Sequence, residues 1–358
     1  MIRLAEVVET FLPELHARYA DQLLPGHHAA LEAVRRCRSE ASGTAKLHCH
    51  DCEQEETFPL SCGHRFCPQC QHGAVEQWLQ RQRLKLLPVD YYLVTFTLPA
   101  QLRTLAYAHQ REVYDLLIKT AWQTLARFGL NDPKLQGQLG ATAVLHTHNR
   151  AREYHPHVHL VVPAGALDTT HCLWRTKPGK FLFPEKALAQ VFRAKWFEAM
   201  KARGWKVAAT LPKDWVADVT RVGNGEKSLV YLGRYLYRGV IAEKNILSCQ
   251  NGEVTFRYTD NQGVTQMLTL AGAEFLWMLL QHVLPKGFRR TRDYGLLHGN
   301  AKRWIQWLYL LLRLGVPEPT EKPPLCCRHC GSTTVSLTIC PRSAKPPSVS
   351  VPTGERLM

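Results

Sequence analysis

Tyr154-His155-Pro156-His157-Val158-His159-Leu160-Val161-Val162 sets a histidine at every second position and then runs into an apolar stretch. In a β-strand successive side chains point to opposite faces. His155, His157 and His159 therefore share one face, and Val158, Leu160 and Val162 share the other. The apolar face predicts packing on a core, and the histidine face offers two or three imidazoles to one ion. Upstream, Ala141 to His148 reads as a second strand, joined to the first by the polar turn Asn149 to Glu153. His146 and His148 alternate along it in the same way. Side chains opposite one another in a hairpin lie about 5 Å apart, within reach of a shared metal. A single buried histidine is ordinarily a packed residue, but five within fourteen positions, phased on two neighbouring strands, do not fit that pattern. A metallo-β-lactamase-type hydrolase also uses His-x-His, yet it needs Asp-His soon afterwards, where this chain has Leu160-Val161-Val162.

Outward from this hairpin, strands and helices interleave. Tyr91 to Leu98 reads as a strand closed by Pro99, and Trp215 to Val222 as another. Leu102 to Phe128 reads as one long helix. Leu188, Val191, Phe192 and Trp196 mark a helix begun at Pro184. A hairpin is expected around Asn251-Gly252, with a second turn at Asp260 to Gly263, followed by helices over 272–284 and 300–314. Near the N-terminus Leu4, Val7, Val8, Phe11, Leu15 and Tyr19 have helical spacing, which Pro13 should kink or divide. A further helix runs from Ala74 to Leu84 and ends at Pro88. The tail from Pro317, rich in Pro, Ser and Thr, reads as mobile apart from one cysteine cluster.

The chain has 358 residues, 45% of them hydrophobic, enough for two or three domains. A net charge of +15 and a pI near 9.4 favour an anionic polymer, nucleic acid above all, as partner. The longest apolar stretch, Phe275 to Leu280, is too short to span a bilayer. Glu6 and Glu9 interrupt any signal-peptide core. A cytoplasmic, nucleoid-associated protein is expected, and twelve cysteines in a reducing compartment read as metal ligands and free thiols.

Cys49-x2-Cys52 is followed, fourteen residues later, by Cys67-x2-Cys70. Two such pairs can clamp one ion as the closed tetrahedral set of a structural zinc. Cys49, Cys52, Cys67 and Cys70 are the expected ligands, with His48, His50, Cys62, His64 and His72 as possible substitutes for one of them. In the tail, Cys327-x2-Cys330 is a half-site. Cys326, His329 and Cys340 are its only local complements, so the reading favours an incomplete ribbon and a single zinc.

Ser228 to Arg238 carries Tyr231 and Tyr235 at i and i+4, on one helix face with Cβ atoms about 5–6 Å apart. A phenol with pKa of about 10 attacks poorly unless a metal, Arg or Lys favours the phenolate. Lys227, Arg234 and Arg238 are near in sequence, and Tyr237 falls off the shared face. A tyrosine pair alone is more often a packing stripe, and the histidine strand upstream changes that reading.

His157-Val158-His159, Tyr231-x3-Tyr235 and the N-terminal cysteine module together resemble the IS91-type transposases, the two-tyrosine branch of the HUH endonucleases. The resemblance runs over roughly 45–305. It includes Val144 to Thr147, Tyr231 to Tyr235, His282 to Phe288 and Asp293 to Leu297. It implies an α+β fold, an HUH-type antiparallel sheet flanked by helices, with an N-terminal helical and zinc-binding module. It further implies nicking and rejoining of single-stranded DNA through 5′-phosphotyrosine intermediates, in rolling-circle-like transposition. Tyr231 and Tyr235 would then be the nucleophiles, and His157 and His159, with His146 as third ligand, would hold magnesium or manganese. Histidine ligation by itself does not select magnesium, which prefers oxygen. The division expected is a helical and zinc-binding part over 1–88, the endonuclease over 89–240, an accessory DNA-binding region over 241–316 and a tail over 317–358. Lys286, Arg289, Arg290, Arg292, Lys302 and Arg303, with Arg234 and Arg238, are the expected phosphate contacts. A plasmid relaxase or rolling-circle initiator shares this chemistry. A zinc-stabilised DNA-binding protein without catalysis is the rival of another class.

Overall fold

A computed structural model describes residues 1–149, 153–206, 210–237, 241–259, 263–315 and 324–340; of 72 and 234–237 it describes the backbone alone. In chain order the described helices are α1 (Leu4–Tyr19), α2 (Pro25–Arg36), α3 (Gln71–Arg83), α4 (Arg103–Ala108), α5 (Gln110–Asn131), α6 (Glu185–Ala202), α7 (Glu226–Tyr237), α8 (Gly272–Leu280) and α9 (Lys302–Leu311). The strands are β1 (Thr44–Cys49), β2 (Glu55–Pro59), β3 (Tyr91–Thr97), β4 (Gly140–His148), β5 (Tyr154–Pro163), β6 (Gly165–Asp168), β7 (Leu173–Thr176), β8 (Ala217–Arg221), β9 (Ile246–Gln250), β10 (Glu253–Thr259), β11 (Thr265–Ala271), β12 (Thr291–Gly295) and β13 (Val335–Cys340).

The centre is a five-stranded antiparallel sheet in the order β12-β4-β5-β3-β8. The period-2 pattern read from the sequence decides its two faces. Val158, Leu160 and Val162 pack with Ala143, Leu145, Val94 and Phe96 against α5 and α6, in a core that includes Leu117, Ile118, Phe192 and Trp196. The opposite face carries Val144 and Val161, covered by Leu229 and Leu232 of α7 and by Trp78 and Leu79 of α3. Helix α7 can lie this close because of Gly233: a Cβ there would meet Leu79 and Trp78 at 3.0–3.2 Å. The antiparallel sheet flanked by helices, with a helical, cysteine-rich N-terminal region, is the expected architecture.

Four details differ from the sequence reading. Pro13 sits exposed inside an unbroken α1. The division comes instead at Ala20–Leu24, and Pro25 starts α2, where its missing N–H costs nothing. The long helix over 102–128 is broken at His109, whose φ of −124° and ψ of 49° leave the helical region. Thr291–Gly295, where the sequence suggested no strand, is the edge strand of the central sheet. In the cysteine-rich region β1 is flanked by β2 and by β13, so that one stretch of the tail, far from mobile, is a paired strand. The turn residues 260–262 lie outside the described residues.

Helices α1 and α2 share one core with Val254, Phe256, Phe275 and Leu276 of the 246–280 region.

Candidate active site and metal centres

Strand pairing builds the histidine centre. His146 lies directly opposite His157, and Val144 opposite His159, so His146, His157 and His159 project from the same face. One ring nitrogen from each lies within 4.8 Å of the others. The rings are 5.1 Å (146 to 157), 4.3 Å (146 to 159) and 4.9 Å (157 to 159) apart. The Nδ1 of His157 stands 2.6 Å from the His155 carbonyl. A carbonyl can only accept, so Nδ1 carries the proton and Nε2 keeps its lone pair. The Nδ1 of His159 is held by the Thr95 hydroxyl at 2.8 Å, from the facing strand β3. Burial pushes His157 down to about 4 and His159 down to about 3, and drives His146 well below the usual imidazole range. All three are neutral near pH 7, as metal ligands must be.

His148 and His155 are not in this set. The β4/β5 register shifts between His146 and His148, and a bulge of that kind re-aims the side chain beyond it. His148 stacks on His282 at 3.9 Å. His155 accepts from Arg103 at 2.9 Å.

Helix α7 brings Tyr231 to the histidine face, its ring 6.5 Å from that of His146 and 40% exposed. Tyr231 borders two cavities. One, of about 830 Å³, is lined by His159, Thr95, Asp218 and Lys227. The other, of about 1120 Å³, is lined by Arg65, Lys244, Arg257, Lys286 and Arg290. Tyr235 and Arg234 lie on α7, but their side chains are outside the described residues, as is all of Arg238.

The cysteines group differently from the expectation. Cys37, Cys62, Cys67 and Cys70 converge in one cluster, and Cys49, Cys52, Cys327 and Cys330 in another, each with its sulfurs within 4.8 Å of one another. The predicted set Cys49, Cys52, Cys67 and Cys70 is thus divided between two centres. Spacing identified both Cys-x2-Cys units correctly, but the partner of the first comes from the tail and the partners of the second from Cys37 and Cys62. In the first cluster Cys70 lies 3.3 Å from Cys37 and 3.5 Å from Cys62. Its Cys62 thiol is pulled down to about 5, chiefly by the hydrogen bond from Cys67, so the cluster readily offers a thiolate.

Residues 140–304 match a family model described as "Putative transposase", and residues 7–98 match one described as "Transposase zinc-binding domain". The chain is 33% identical over 342 residues to "Putative transposase y4qJ" of Sinorhizobium fredii (strain NBRC 101917 / NGR234), covering 86% of this chain and 85% of that protein. The chain belongs to the IS91 family of transposases. The transposase is also 29% identical over 315 residues to "Transposase for insertion sequence element IS801" of Pseudomonas savastanoi pv. phaseolicola, covering 80% of this chain and 74% of that one. Among solved structures, the conjugative relaxase TrwC in complex with OriT DNA, a metal-free structure, matches at a TM-score of 0.28 and 13% identity, covering 63% of this chain and 73% of that one. The transposase zinc-binding module, as matched over 7–98, contains Cys37, Cys62, Cys67 and Cys70 in full.

The basic residues expected on DNA are scattered through the transposase. Lys286 and Arg290 line the larger cavity beside Tyr231, and Arg289 is exposed near them. Arg292 instead forms an ion pair with Asp115 and covers the Phe288 ring at 5.3 Å. Lys302 and Arg303 open α9, which packs with Leu296 and Leu297 beside the Gly140 end of β4. Six residues of extended chain put that end roughly 20 Å from His146. The sequence reading missed Thr95, Arg65, Lys244 and Arg257. An isolated threonine or arginine carries no pattern, and only the fold brings these to the site.

Proposed function

We propose that this transposase nicks and rejoins single-stranded DNA, with Tyr231 or Tyr235 as the nucleophile and His146, His157 and His159 holding a divalent cation. The observation that carries this reading is the placement of Tyr231 6.5 Å, ring to ring, from His146 at the mouth of the histidine centre. The residues fit a cation: three neutral imidazoles converge, and His157 is fixed in the tautomer that leaves Nε2 free to bind. His146, His157 and His159 would hold a divalent ion, magnesium or manganese by resemblance, which when bound would supply charge neutralisation at the scissile phosphate. The tyrosine oxygen attacks phosphorus in line, the bond from phosphorus to the 3′-oxygen breaks, the phenol proton passes to solvent, and the 3′-oxygen leaves as a hydroxyl. The 5′-phosphotyrosine retains the bond energy, so rejoining needs no ATP. Lys227 lines the same cavity as Tyr231 and brings a positive charge to the side of the site where the phosphate would lie. Arg65, Lys244, Arg257, Lys286 and Arg290 form a groove suited to the phosphates of the strand. A second tyrosine permits a second strand transfer before the first link is resolved.

The test is incubation of the full chain with single-stranded element-end DNA and Mn²⁺, followed by denaturing electrophoresis. A protein–DNA adduct is expected. Tyr231→Phe with Tyr235→Phe should reduce it by at least about three orders of magnitude while leaving DNA binding intact, because only the nucleophilic oxygen is removed. An undiminished adduct from the double variant would move the chemistry to another group, Tyr237 first.

A further inference from the structure

The second cysteine cluster is built from opposite ends of the chain. Cys49-x2-Cys52 begins at the last residue of β1, and Cys327-x2-Cys330 precedes β13. The two units have matching backbones. Each is followed at once by a residue with positive φ, Glu53 at 55° and Gly331 at 76°. In each, the first cysteine's N–H donates back across the turn, from Cys49 to the Gln54 carbonyl at 3.0 Å and from Cys327 to the Ser332 carbonyl at 2.8 Å. Antiparallel pairing of β1 with β13, Cys49 opposite Val335, sets the two knuckles face to face.

The sulfur geometry suits a metal and not a disulfide. Cys49 and Cys330 are 3.6 Å apart, and Cys52 and Cys327 3.7 Å. Four thiolates at about 2.3 Å from one tetrahedral zinc lie about 3.8 Å from one another. A disulfide needs about 2.05 Å. The tail strand is held by its pairing with β1, by the His50 N–H to the Thr334 carbonyl and by Ser332 to Asp51, with little apolar burial beside them. Its Leu337 is 45% exposed and its Ile339 59% exposed, so β13 is not anchored by a core of its own. Ion pairing of Arg328 with Glu56 at 2.8 Å is a surface contact of small worth.

We propose that Cys49, Cys52, Cys327 and Cys330 bind a second zinc ion, and that this ion fastens the tail to the N-terminal module as the third strand of its sheet. The site is discontinuous: more than 270 residues separate its halves, and the zinc-binding model matched over 7–98 contains only one of them. Soft thiolates select zinc over magnesium or calcium. Cys326, His329 and Cys340, the local complements suggested by the tail's own sequence, are outside the set.

Cobalt(II) titration of the metal-stripped full chain counts the thiolate sites, because the sulfur-to-cobalt charge-transfer band is absent from cobalt bound by histidine alone. The band should saturate at two equivalents for the native chain and at one for Cys327→Ser with Cys330→Ser. The paired variant Cys37→Ser with Cys62→Ser should also fall to one, which identifies the equivalent that remains as the tail-closed site. Limited proteolysis then reads the fastening: the 324–340 segment should be cut at least tenfold faster in Cys327→Ser/Cys330→Ser than in the zinc-loaded native chain. Saturation of the native chain at one equivalent overturns the proposal. So does a tail variant that still takes two.

Discussion

The histidine centre and the cysteine clusters are both groups of side chains able to hold a metal at one point, but they are assembled over very different distances along the chain. His146, His157 and His159 sit on two consecutive, paired strands separated by five residues of sequence. Once the alternation is recognised, hairpin geometry leaves them little choice but to meet. Each cysteine cluster instead combines a local Cys-x2-Cys unit with partners supplied from elsewhere, Cys37 and Cys62 in one case and the tail in the other. Local spacing therefore located the three Cys-x2-Cys units but paired two of them wrongly, and it did not mark Cys37 at all. Short-range periodicity constrains which face a side chain occupies. It says nothing about which distant strand will lie beside it.

The comparison can be broken most forcefully on β5, where neighbouring residues serve opposite faces. His157→Ala, on the site face, should reduce cleavage by about two to three orders of magnitude with little change in thermal stability, and EDTA should have the same effect on the native chain. Val158→Ala, one residue on and fully buried against α5 and α6, should do the reverse. It should cost about 2 kcal/mol of stability while cleavage per folded molecule stays near native. Denaturant melts run beside the cleavage assay measure both, and loss of fold in both variants alike would mean that the two faces are not independent.

A smaller effect is expected at Thr95, which no pattern in the sequence marks. Its hydroxyl holds His159 Nδ1 at 2.8 Å. Thr95→Val should weaken Mn²⁺ affinity by about 10- to 100-fold, with cleavage recovering at saturating metal. Metal-dependence curves of cleavage check this, and an unshifted curve would show that Thr95 does not orient the ligand.

The smallest effect separates two basic residues that look alike in sequence. Lys286 is exposed and lines the groove beside Tyr231. Lys286→Ala should flatten the log–log salt dependence of single-stranded DNA binding by about 0.7. Arg292 is paired with Asp115 and packed on Phe288, so Arg292→Ala should leave that slope unchanged and lower the melting temperature instead. An equal flattening by both would mean that Arg292 leaves Asp115 to reach phosphate.

The sequence by itself determined the two faces of β4 and β5, the apolar side of the central sheet, the helix that carries Tyr231 and the existence of three Cys-x2-Cys units. Each of these is a short-range consequence of backbone periodicity or turn geometry, and each is encoded within a dozen residues. The tertiary structure alone decided the rest. It brought Thr95 against His159 and packed α7 on α3 through the close approach at Gly233. It made Thr291–Gly295 an edge strand. It also drew β13 across to β1, so that Cys327 and Cys330 meet Cys49 and Cys52. Such contacts depend on which surfaces bury each other once the whole chain has condensed. A pairing that spans most of the chain leaves no periodic trace in the residues that make it.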